Sequence, residues 1–389
     1  MSTDQRPLRV AVFCDVYLPG FRAGGPPVSI SRIIEQETQA DVRVITRDRD
    51  AEQTQPYPIA AIRDWTPYGR AQVAYLRPGA RDWPWAIRQM RDWQPDLLYF
   101  NSLQSPWFSL LPHLLHRVRL LPASQVLLAP RGETSQGARQ LKGLKKKLAR
   151  PLIKQLINHP LTWHASSDRE EAEIRNWWGG PTKESHHMLV ASDPPPVPAS
   201  QPSQPPYRQT TRIVFASRID RMKGLLELVQ ALQTIEIHID LHVYGVIRDE
   251  KYWRECNEAA QSLPANVAFH YFGEYSPTKV TSIMSDADLF ALPTHGENFG
   301  HVIAEALSVG CPTVIPDTTL WSPLVSACGF LIESDEDILN ALNQVANLSA
   351  KERSSLRERC WLAYRDFYRE AAQNQSLFST TVESPRVTT

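Results

Sequence analysis

Two glutamates, Glu297 and Glu305, stand eight residues apart in a stretch whose pattern favours ligand binding. A short apolar run leads into a turn that contains Gly296 and Gly300, and apolar residues at helical spacing follow as far as Gly310. The stretch therefore predicts a strand, a glycine turn and a helix. Because open α/β sheets bind ligands beyond the carboxyl ends of their strands, we expect a site at this turn. Either glutamate alone would most often be a solvated surface residue, but Glu305 lies among apolar positions, which favours a function for the pair.

Two basic residues, Arg218 and Lys223, follow a second predicted strand and precede a helix that begins at Leu225. An arginine offers a planar fork of donors and a lysine offers a compact charge, and both suit phosphate groups. Taken alone, such residues are usually solvent-facing. Their place at a strand end nevertheless predicts an anion site.

A glycine pair, Gly24 and Gly25, follows the first predicted strand, Leu8 to Cys14. Glycine permits close backbone approach, and the helix predicted from about Pro27 offers free amides to an anion. The pair on its own would often be only a turn, so the phosphate site it predicts depends on its position in an α/β domain.

The wider pattern alternates short buried strands with helices, which predicts an α/β fold. The proline-rich segment 193–206 reads as a linker. It predicts two α/β domains, at 1–192 and 207–362. Residues 363–389 are predicted to form a terminal helix followed by a frayed tail.

These motifs together resemble the retaining GT-B glycosyltransferases of the family 4 type. The resemblance rests on E-x7-E at Glu297 and Glu305, on the surrounding HGENFG and EALSVGCP, and on R-x4-K at Arg218 and Lys223. The glycine loop, P-R-G at Arg131, the linker and the terminal helix extend it along the whole chain. It implies a GT-B fold with two Rossmann-like domains facing across a cleft, an N-terminal acceptor domain at 1–192 and a C-terminal donor domain at 207–362. It also implies that the terminal helix of residues 363–389 crosses back to the N-terminal domain. It also implies retaining transfer of a sugar from a nucleotide-diphosphate sugar to a saccharide or lipid-linked saccharide, in cell-surface polysaccharide biosynthesis of the lipopolysaccharide kind.

The resemblance also implies a role for each residue that matches the family pattern. The catalytic residues are Glu297, Arg218 and Lys223. The donor-binding residues are Glu305, Gly24, Gly25, His295, Gly296, Asn298, Phe299, Gly300 and Gly273. The acceptor side of the cleft has Arg131 and Asn101.

No cofactor or metal is expected beyond the nucleotide-diphosphate sugar, which is a co-substrate. Asp286 and Asp288 match the D-x-D metal motif of the other large glycosyltransferase fold, but they precede a strand instead of following one, so we reject that interpretation. Many members of the family have a histidine near the strand end occupied here by Asn101. Its absence leaves the acceptor-side base unassigned.

Two alternatives remain open from the sequence. A nucleotide-sugar epimerase of the same fold would consume donor without an acceptor. A catalytically silent sugar-nucleotide-binding scaffold would bind donor without transfer, and the missing histidine near Asn101 keeps that alternative open.

Bulk properties fit a globular protein. The 389 residues are 42% hydrophobic and 22% charged with no formal net charge, and the five cysteines form no C-x-x-C pair. We see neither a signal peptide nor an apolar run long enough to span a membrane, which predicts a cytoplasmic protein.

The charge is unevenly distributed. Residues 1–200 contain 26 basic and 19 acidic side chains, so the first half carries a positive surplus. The segment Arg139–Lys154 predicts a basic amphipathic helix, which is either an ordinary solvated face or a peripheral contact with the anionic inner face of the cytoplasmic membrane. Nothing else in the chain supports nucleic-acid binding.

Overall fold

The computed structural model describes residues 6–134, 143–179, 186–372 and 376–383. The chain divides into two compact units, one formed by Met1–Pro194 with Gln375–Thr389 and the other by Pro195–Asn374. Each unit is a parallel sheet with helices packed against it, which is the arrangement that alternating strands and helices require.

The first unit is built on an eight-stranded sheet. Its strands are β1 (Leu8–Phe13), β2 (Ala40–Arg47), β3 (Thr66–Tyr68), β4 (Ala71–Leu76), β5 (Leu97–Phe100), β6 (Gln125–Leu128), β7 (Leu161–Ala165) and β8 (His186–Val190). The helices described between them are α1 (Gly25–Gln36), α2 (Trp83–Trp93), α3 (Leu111–Arg117), α4 (Gly143–Leu156) and α5 (Asp168–Trp178).

The strand order in this sheet is β3-β4-β2-β1-β5-β6-β7-β8, and only β3 runs antiparallel to its neighbour. The central strands are buried on both faces, so they are nearly continuous apolar runs such as LLYF in β5. The order reverses between β1 and β5, whose following loops contain Gly24 and Asn101 respectively. That reversal is where open α/β sheets place ligands.

The second unit is built on a six-stranded parallel sheet. Its strands are β9 (Thr211–Ala216), β10 (Ile239–Tyr244), β11 (Val267–Tyr271), β12 (Leu289–Ala291), β13 (Thr313–Pro316) and β14 (Phe330–Ile332). Its helices are α6 (Leu225–Ala231), α7 (Glu250–Ala260), α8 (Pro277–Ser285), α9 (His301–Ser308), α10 (Ser322–Cys328), α11 (Asp335–Ala346) and α12 (Ala350–Ala371).

The strand order of the second sheet is β11-β10-β9-β12-β13-β14, which is the dinucleotide-fold order. The reversal lies between β9 and β12, where Ile213 pairs with Leu289 and Val214 with Phe290. Both strands run in the same direction, so the loops that follow them emerge side by side at one edge of the sheet.

The helix boundaries differ in detail from those predicted. Helix α1 begins at Gly25, two residues before the predicted start, because the glycine and the two prolines after it suit the first helical positions. Of the predicted basic helix, residues 139–142 lie outside the described part of the chain, and α4 begins at Gly143.

The terminal region consists of two helices. Helix α12 belongs to the second unit, because Arg357, Cys360 and Tyr364 are buried there. A short helix, α13 (Leu377–Glu383), belongs to the first unit, where Phe378 enters the core beside Tyr99. Among the helices described, none combines the length and the apolar character needed to cross a membrane.

Candidate functional site

The candidate site lies at the reversal point of the second sheet. The loop after β9 carries Arg218 and Lys223, and the loop after β12 carries Glu297. Because β9 and β12 are adjacent parallel strands, the fold brings these two loops together although they are more than 70 residues apart in sequence.

Lys223 and Glu297 form an ion pair across the two loops. The lysine Nζ lies 2.5 Å from Glu297 Oε1, and the two side chains are only 9% and 12% exposed. A buried pair of this kind requires close geometry, because each charge has lost most of its hydration. The contact therefore fixes the direction of both side chains at the sheet edge.

The backbone of the two loops is also joined. Met222 O accepts hydrogen bonds from His295 N at 2.9 Å and from Thr294 Oγ1 at 2.8 Å. At Gly224, φ is 74°, and a Cβ there would lie 2.0 Å from the carbonyl oxygen of Pro293. Only glycine allows this approach, so the residue after Lys223 determines how closely the loops meet.

Arg218 is the more accessible cation of the site. Its side chain is 43% exposed, and its Nε lies 3.8 Å from Asp220 Oδ2, at the outer limit of an ion pair. The Asp220 carboxylate also accepts from Met222 N and so begins the short helical turn that contains Lys223. Arg218 is thus an exposed cation in the same loop as the buried Lys223.

Helix α9 begins at this edge of the sheet. Its N-cap is Gly300, with φ 76° and no side chain to cap the first turn. The buried Phe299 precedes it, and its carbonyl accepts a 2.5 Å hydrogen bond from Trp321 Nε1. The ring centroids of Phe299 and Trp321 lie 5.3 Å apart, and this contact fixes the turn that precedes α9. The positive end of the α9 dipole therefore lies in the loop that carries Glu297, three residues further along the chain.

Glu305 is buried on the second turn of α9, and its charge acts on Tyr275 in the loop after β11. Burial raises the pKa of Tyr275, and the Glu305 carboxylate raises it further. Gly273, also in that loop, has φ 77° and open space where a Cβ would be. The structure thus brings two donor-site predictions, Glu305 and Gly273, to the same end of the sheet as Glu297.

The remaining predicted residues of the HGENFG segment have distinct surroundings. Asn298 is exposed, and a Cβ added at Gly296 would lie 3.4 Å from the Met222 side chain. His295 points its Nε2 to Glu227 on α6, at 2.9 Å, and the other oxygen of Glu227 accepts from Tyr252. The His295 side chain is thus hydrogen-bonded to Glu227 of the same unit. Its predicted contact with a donor stays a prediction.

In the first unit, Arg131 lies in a buried polar network. Its guanidinium donates to Asp193 at 2.6 Å, to Tyr99 at 2.8 Å and to Asn101 at 3.2 Å, and its side chain is 7% exposed. Burial disfavours the charge of Arg131, but Asp193 counters this and its pKa is raised overall. The predicted acceptor roles of Arg131 and Asn101 stay predictions, and the contacts observed hold the start of the linker against the sheet.

The predicted glycine loop lies close to that network. Gly24 is the uncapped residue before α1, with φ 83°, and Gly25 is the first residue of the helix. One turn later, Ser29 Oγ donates to Asp193 at 2.6 Å. The N-terminus of α1 and the Asp193 carboxylate therefore belong to one local arrangement, which the sequence did not reveal.

The rejected D-x-D motif has a structural explanation. Asp286 is bonded to Arg208 and Arg212, and Asp288 accepts from Arg212 N and lies 3.2 Å from Arg353. Across the described residues, no cluster of three or more His, Cys, Asp or Glu side chains could hold a metal ion.

Sequence reasoning missed several partners of the site residues. Tyr275 beside Glu305 and Glu227 beside His295 come from separate strands and helices, so spacing along the chain does not reveal them. The sequence gives a weak indication for Asp193, which is the first residue of the proline-rich segment. Gly224 directly follows Lys223, and a glycine at that place indicates a close approach of another loop.

The residue types gathered at this edge of the sheet are those that suit a phosphate-type anion and a neighbouring polyhydroxyl group. Arg218, Lys223 and the start of α9 supply positive potential at one strand-end edge. The carboxylates of Glu297 and Glu305 supply acceptors for hydroxyl groups.

Comparison with known sequences agrees with this chemistry. Residues 198–360 match the family described as glycosyl transferases group 1, and residues 24–187 match the glycosyl transferase 4-like domain. A D-inositol 3-phosphate glycosyltransferase from Xylanimonas cellulosilytica is 26% identical over 238 residues, which are 54% of this chain and 57% of that protein. The chain thus matches little more than half the length of that relative.

Solved structures show the same architecture over the whole chain. Sucrose-phosphate synthase from Thermosynechococcus elongatus has a TM-score of 0.69 at 15% identity, covering 96% of this chain and 99% of its own. HepE of Anabaena, solved with UDP and glucose, has a TM-score of 0.66 at 14% identity, covering 97% and 100%. At these identities the likeness gives the fold, which is the GT-B class of two parallel-sheet α/β domains that was predicted from the sequence.

Proposed function

Since the chain belongs to the glycosyl transferases group 1 and is a glycosyltransferase of the family 4 type, we propose that it moves a sugar from a nucleotide-diphosphate sugar to a saccharide or lipid-linked saccharide. The proposal includes retention of configuration at the transferred sugar. The observation that carries it is the buried Lys223–Glu297 pair at the reversal point of the second sheet, with the exposed Arg218 in the same loop as Lys223.

The proposed mechanism follows from where charge develops. As the bond between sugar and diphosphate breaks, the sugar becomes oxocarbenium-like and negative charge grows on the diphosphate. Arg218, Lys223 and the N-terminus of α9 would stabilise that charge, which is the largest contribution expected. Glu297 would bind hydroxyls of the donor sugar and hold its anomeric carbon, and Glu305 would bind the ribose. Attack would come from the face that the diphosphate leaves, with no covalent enzyme intermediate and no metal ion.

The donor class is supported by a relative of the fold. HepE was solved with UDP and glucose, and separately with UDP-glucose. A nucleotide-diphosphate sugar combines a phosphate-type anion with neighbouring hydroxyl groups.

The acceptor class is the more open part of the proposal. We favour a growing cell-surface polysaccharide, with the enzyme in the cytoplasm at the inner face of the membrane. The names of the inositol-phosphate glycosyltransferase and of sucrose-phosphate synthase favour a second candidate, a small phosphorylated acceptor.

The first test is donor binding by thermal shift. UDP-, GDP-, ADP- and TDP-sugars are screened with and without EDTA, on the parent protein and on Glu305→Ala. We expect one nucleotide series to raise the melting temperature of the parent, since a ligand of the native state stabilises it. The rise should survive EDTA and shrink in Glu305→Ala but not in Glu236→Ala, a control at an exposed glutamate of the same unit. If no nucleotide sugar shifts the parent, the donor site is wrongly assigned.

A second test separates the rival activities. With the stabilising donor, release of the nucleoside diphosphate is measured alone, with lipid-linked saccharides and with phosphorylated sugars or cyclitols. A transferase releases diphosphate faster with one acceptor class. An epimerase converts donor with no acceptor present, and a silent scaffold binds donor and releases nothing.

A further inference from the structure

Glu227 on α6 connects two helices of the second unit to the loop that carries Glu297. One oxygen of its carboxylate lies 2.9 Å from Nε2 of His295, and the other accepts a hydrogen bond from the Tyr252 hydroxyl at 3.2 Å. Tyr252 belongs to α7, and His295 lies in the loop after β12. The carboxylate therefore joins three elements that are distant from one another in sequence.

Tyr252 supports one side of that carboxylate. It is 1% exposed, and its oxygen accepts a 2.8 Å hydrogen bond from Leu226 N in the first turn of α6. The start of α7 is fixed as well, because the Asp249 side chain caps it by accepting from Tyr252 N. Since the Tyr252 oxygen accepts the amide proton, its own hydrogen is left to donate to Glu227. The position of the carboxylate is thus set from the buried side.

The same carboxylate determines which nitrogen of His295 carries a proton. An ionised carboxylate only accepts hydrogen bonds, so Nε2 of His295 is the donor in this contact. Carboxylates orient histidines in this way in many functional sites. The His295 and Glu227 side chains are 56% and 31% exposed, and a contact with that much exposure contributes little to stability. Its effect is on the position of the ring.

The backbone of the loop is held at the same place. His295 N donates to Met222 O at 2.9 Å, and Thr294 Oγ1 donates to the same carbonyl at 2.8 Å. The His295 backbone is thus tied to Met222 and its side chain to Glu227. Glu297 follows two residues later, and two residues of chain reach about 7 Å at most, so a displacement of His295 is passed on to Glu297.

We propose that Glu227 is a positioning residue of the donor site. It holds the His295 ring, and through that ring it keeps the loop with Glu297 where sugar transfer requires it. Glu227 acts through His295 and touches neither the donor nor the reacting atoms. The inference rests on the proposed function for the role of Glu297, whereas the restraint on the loop is a property of the protein alone.

A role in stability alone is the alternative. Glu227 would then serve to join α6 to α7 through Tyr252, and its loss would weaken the whole unit without a specific effect on the loop. The exposure of Glu227 argues against this. Tyr252 also keeps its hydrogen bond from Leu226 N when Glu227 is replaced, so the two helices stay connected.

The test compares Glu227→Leu with Glu227→Gln by hydrogen exchange, which needs no nucleotide sugar. In Glu227→Leu the peptide that covers residues 293–300 should exchange about five- to tenfold faster, the factor expected when one hydrogen bond that restrains a segment is lost. Glu227→Gln keeps an oxygen that accepts from Nε2 of His295, so its peptide should exchange as in the parent. The melting temperature should change little in either variant.

Glu255→Leu is the matched control. Glu255 lies on α7, its side chain is also 31% exposed, and it pairs with Arg221 instead of a residue of the loop. This variant should leave both the exchange of residues 293–300 and the rate of transfer unchanged.

Kinetics connect the loop to the reaction once a donor has been identified. Glu227→Leu should lower kcat by about 10²-fold, with a smaller change in the KM for the donor, because a displaced loop alters the reacting geometry. Glu227→Gln should restore most of that rate. Faster exchange in Glu227→Leu with an unchanged kcat would show that transfer does not require the restraint, which would overturn the proposal.

The exchange result decides the matter without a donor. Unchanged exchange of residues 293–300 in Glu227→Leu would overturn the proposal, as would equal effects in Glu227→Gln or in Glu255→Leu. A lower melting temperature with faster exchange throughout the second unit would assign the role in stability instead. A failure of the donor assignment leaves the exchange result intact, so the two proposals fail separately.

Discussion

At the residue scale, the site depends on a cation that the protein has already paired. The ion pair of Lys223 with Glu297 holds both side chains at the sheet edge with little exposure to water. Each partner depends on the other, because a charge left alone at a buried position has lost most of its hydration. Arg218, in the same loop as Lys223, is 43% exposed and therefore accessible to a ligand.

Replacing the lysine tests this arrangement. Lys223→Met should lower the rate of sugar transfer by about 10²–10³-fold, the loss typical when a group that stabilises developing charge is removed. It should also destabilise the second unit, because Glu297 is left unpaired. Transfer assays and thermal melts measure the two effects.

A double variant separates folding from catalysis. Lys223→Met/Glu297→Gln removes the unpaired charge, so stability should recover while activity does not. Arg221→Met is the control, since Arg221 is two residues away and pairs with Glu255 at a more exposed position. If Lys223→Met lowers the transfer rate by less than about tenfold, the assigned role is contradicted, because the expected loss is about 10²–10³-fold.

Gly224 provides a second prediction at this scale. Gly224→Ala places a Cβ 2.0 Å from Pro293 O at a φ of 74°, so the two loops must separate. We expect a loss of about 2–4 kcal/mol in the free energy of unfolding, from backbone strain and overpacking together. Urea denaturation measures it, and donor binding should weaken as well.

Gly79→Ala is the matched control for that change. Its φ is 87°, but nothing lies within 4 Å of the new Cβ. Only the backbone term of about 1–2 kcal/mol should remain. Equal losses at both glycines would show that the approach of Pro293 is not what requires Gly224.

At the scale of elements, the sequence predicted the strand-turn-helix around Glu297 and the strand-loop-helix around Arg218 because both are local. Each depends on a buried strand, a glycine or basic residue at its end, and a helical period, all of which can be read within about ten residues. The register of β9 against β12 was not predictable from periodicity, and that register is what brings Lys223 to Glu297. The same limit explains why Tyr275 beside Glu305 was missed.

Helix α3 shows another contact between elements that sequence spacing hides. His113 on α3 is fully buried, and its ring centroid lies 4.3 Å from that of Phe100. Its Nδ1 lies 3.1 Å from Nε2 of His159, which is in the loop before β7. Burial holds the pKa of His113 well below its usual value, and His159 lowers it further. The first unit therefore requires this imidazole to be neutral.

A pH dependence of stability follows. The folded pKa of His113 lies below the unfolded one, so the unfolded chain takes up the proton first as the pH falls. The free energy of unfolding therefore falls as the pH drops below about 6.5, because the unfolded chain binds a proton at His113 that the folded chain does not. Between pH 7 and 5, His113→Phe should reduce the fall in unfolding free energy by about 1–2 kcal/mol relative to the parent. Urea denaturation at both pH values measures it, and parallel curves for the two proteins would refute the buried neutral histidine.

At the scale of the whole molecule, the chain passes from the first unit to the second after Pro194 and re-enters the first before α13. That return buries Phe378, whose ring lies 5.6 Å from that of Tyr99. Glu37 accepts from Phe378 N at 3.0 Å and from Ser376 Oγ, so it caps the start of the helix. The last residues described are therefore part of the core of the first unit, although the sequence predicted a frayed tail there and a terminal helix that crosses back, and that helix, α12, belongs to the second unit.

Because the two units have separate cores, a substitution in α13 should destabilise the first unit and leave the second unchanged. Phe378→Ala should destabilise the first unit by about 3–5 kcal/mol, the usual cost of removing a buried aromatic ring, and Phe378→Leu by much less. Hydrogen exchange followed by peptide should then speed up in β1, β5 and β6, which surround the ring's core, and stay unchanged in β9 and β12. Donor binding should shift the melting temperature of the second unit as in the parent, since its loops and its core contain none of the altered contacts. Faster exchange in β9 and β12 would mean that the two cores unfold as one, and the donor site would then depend on the last residues of the chain.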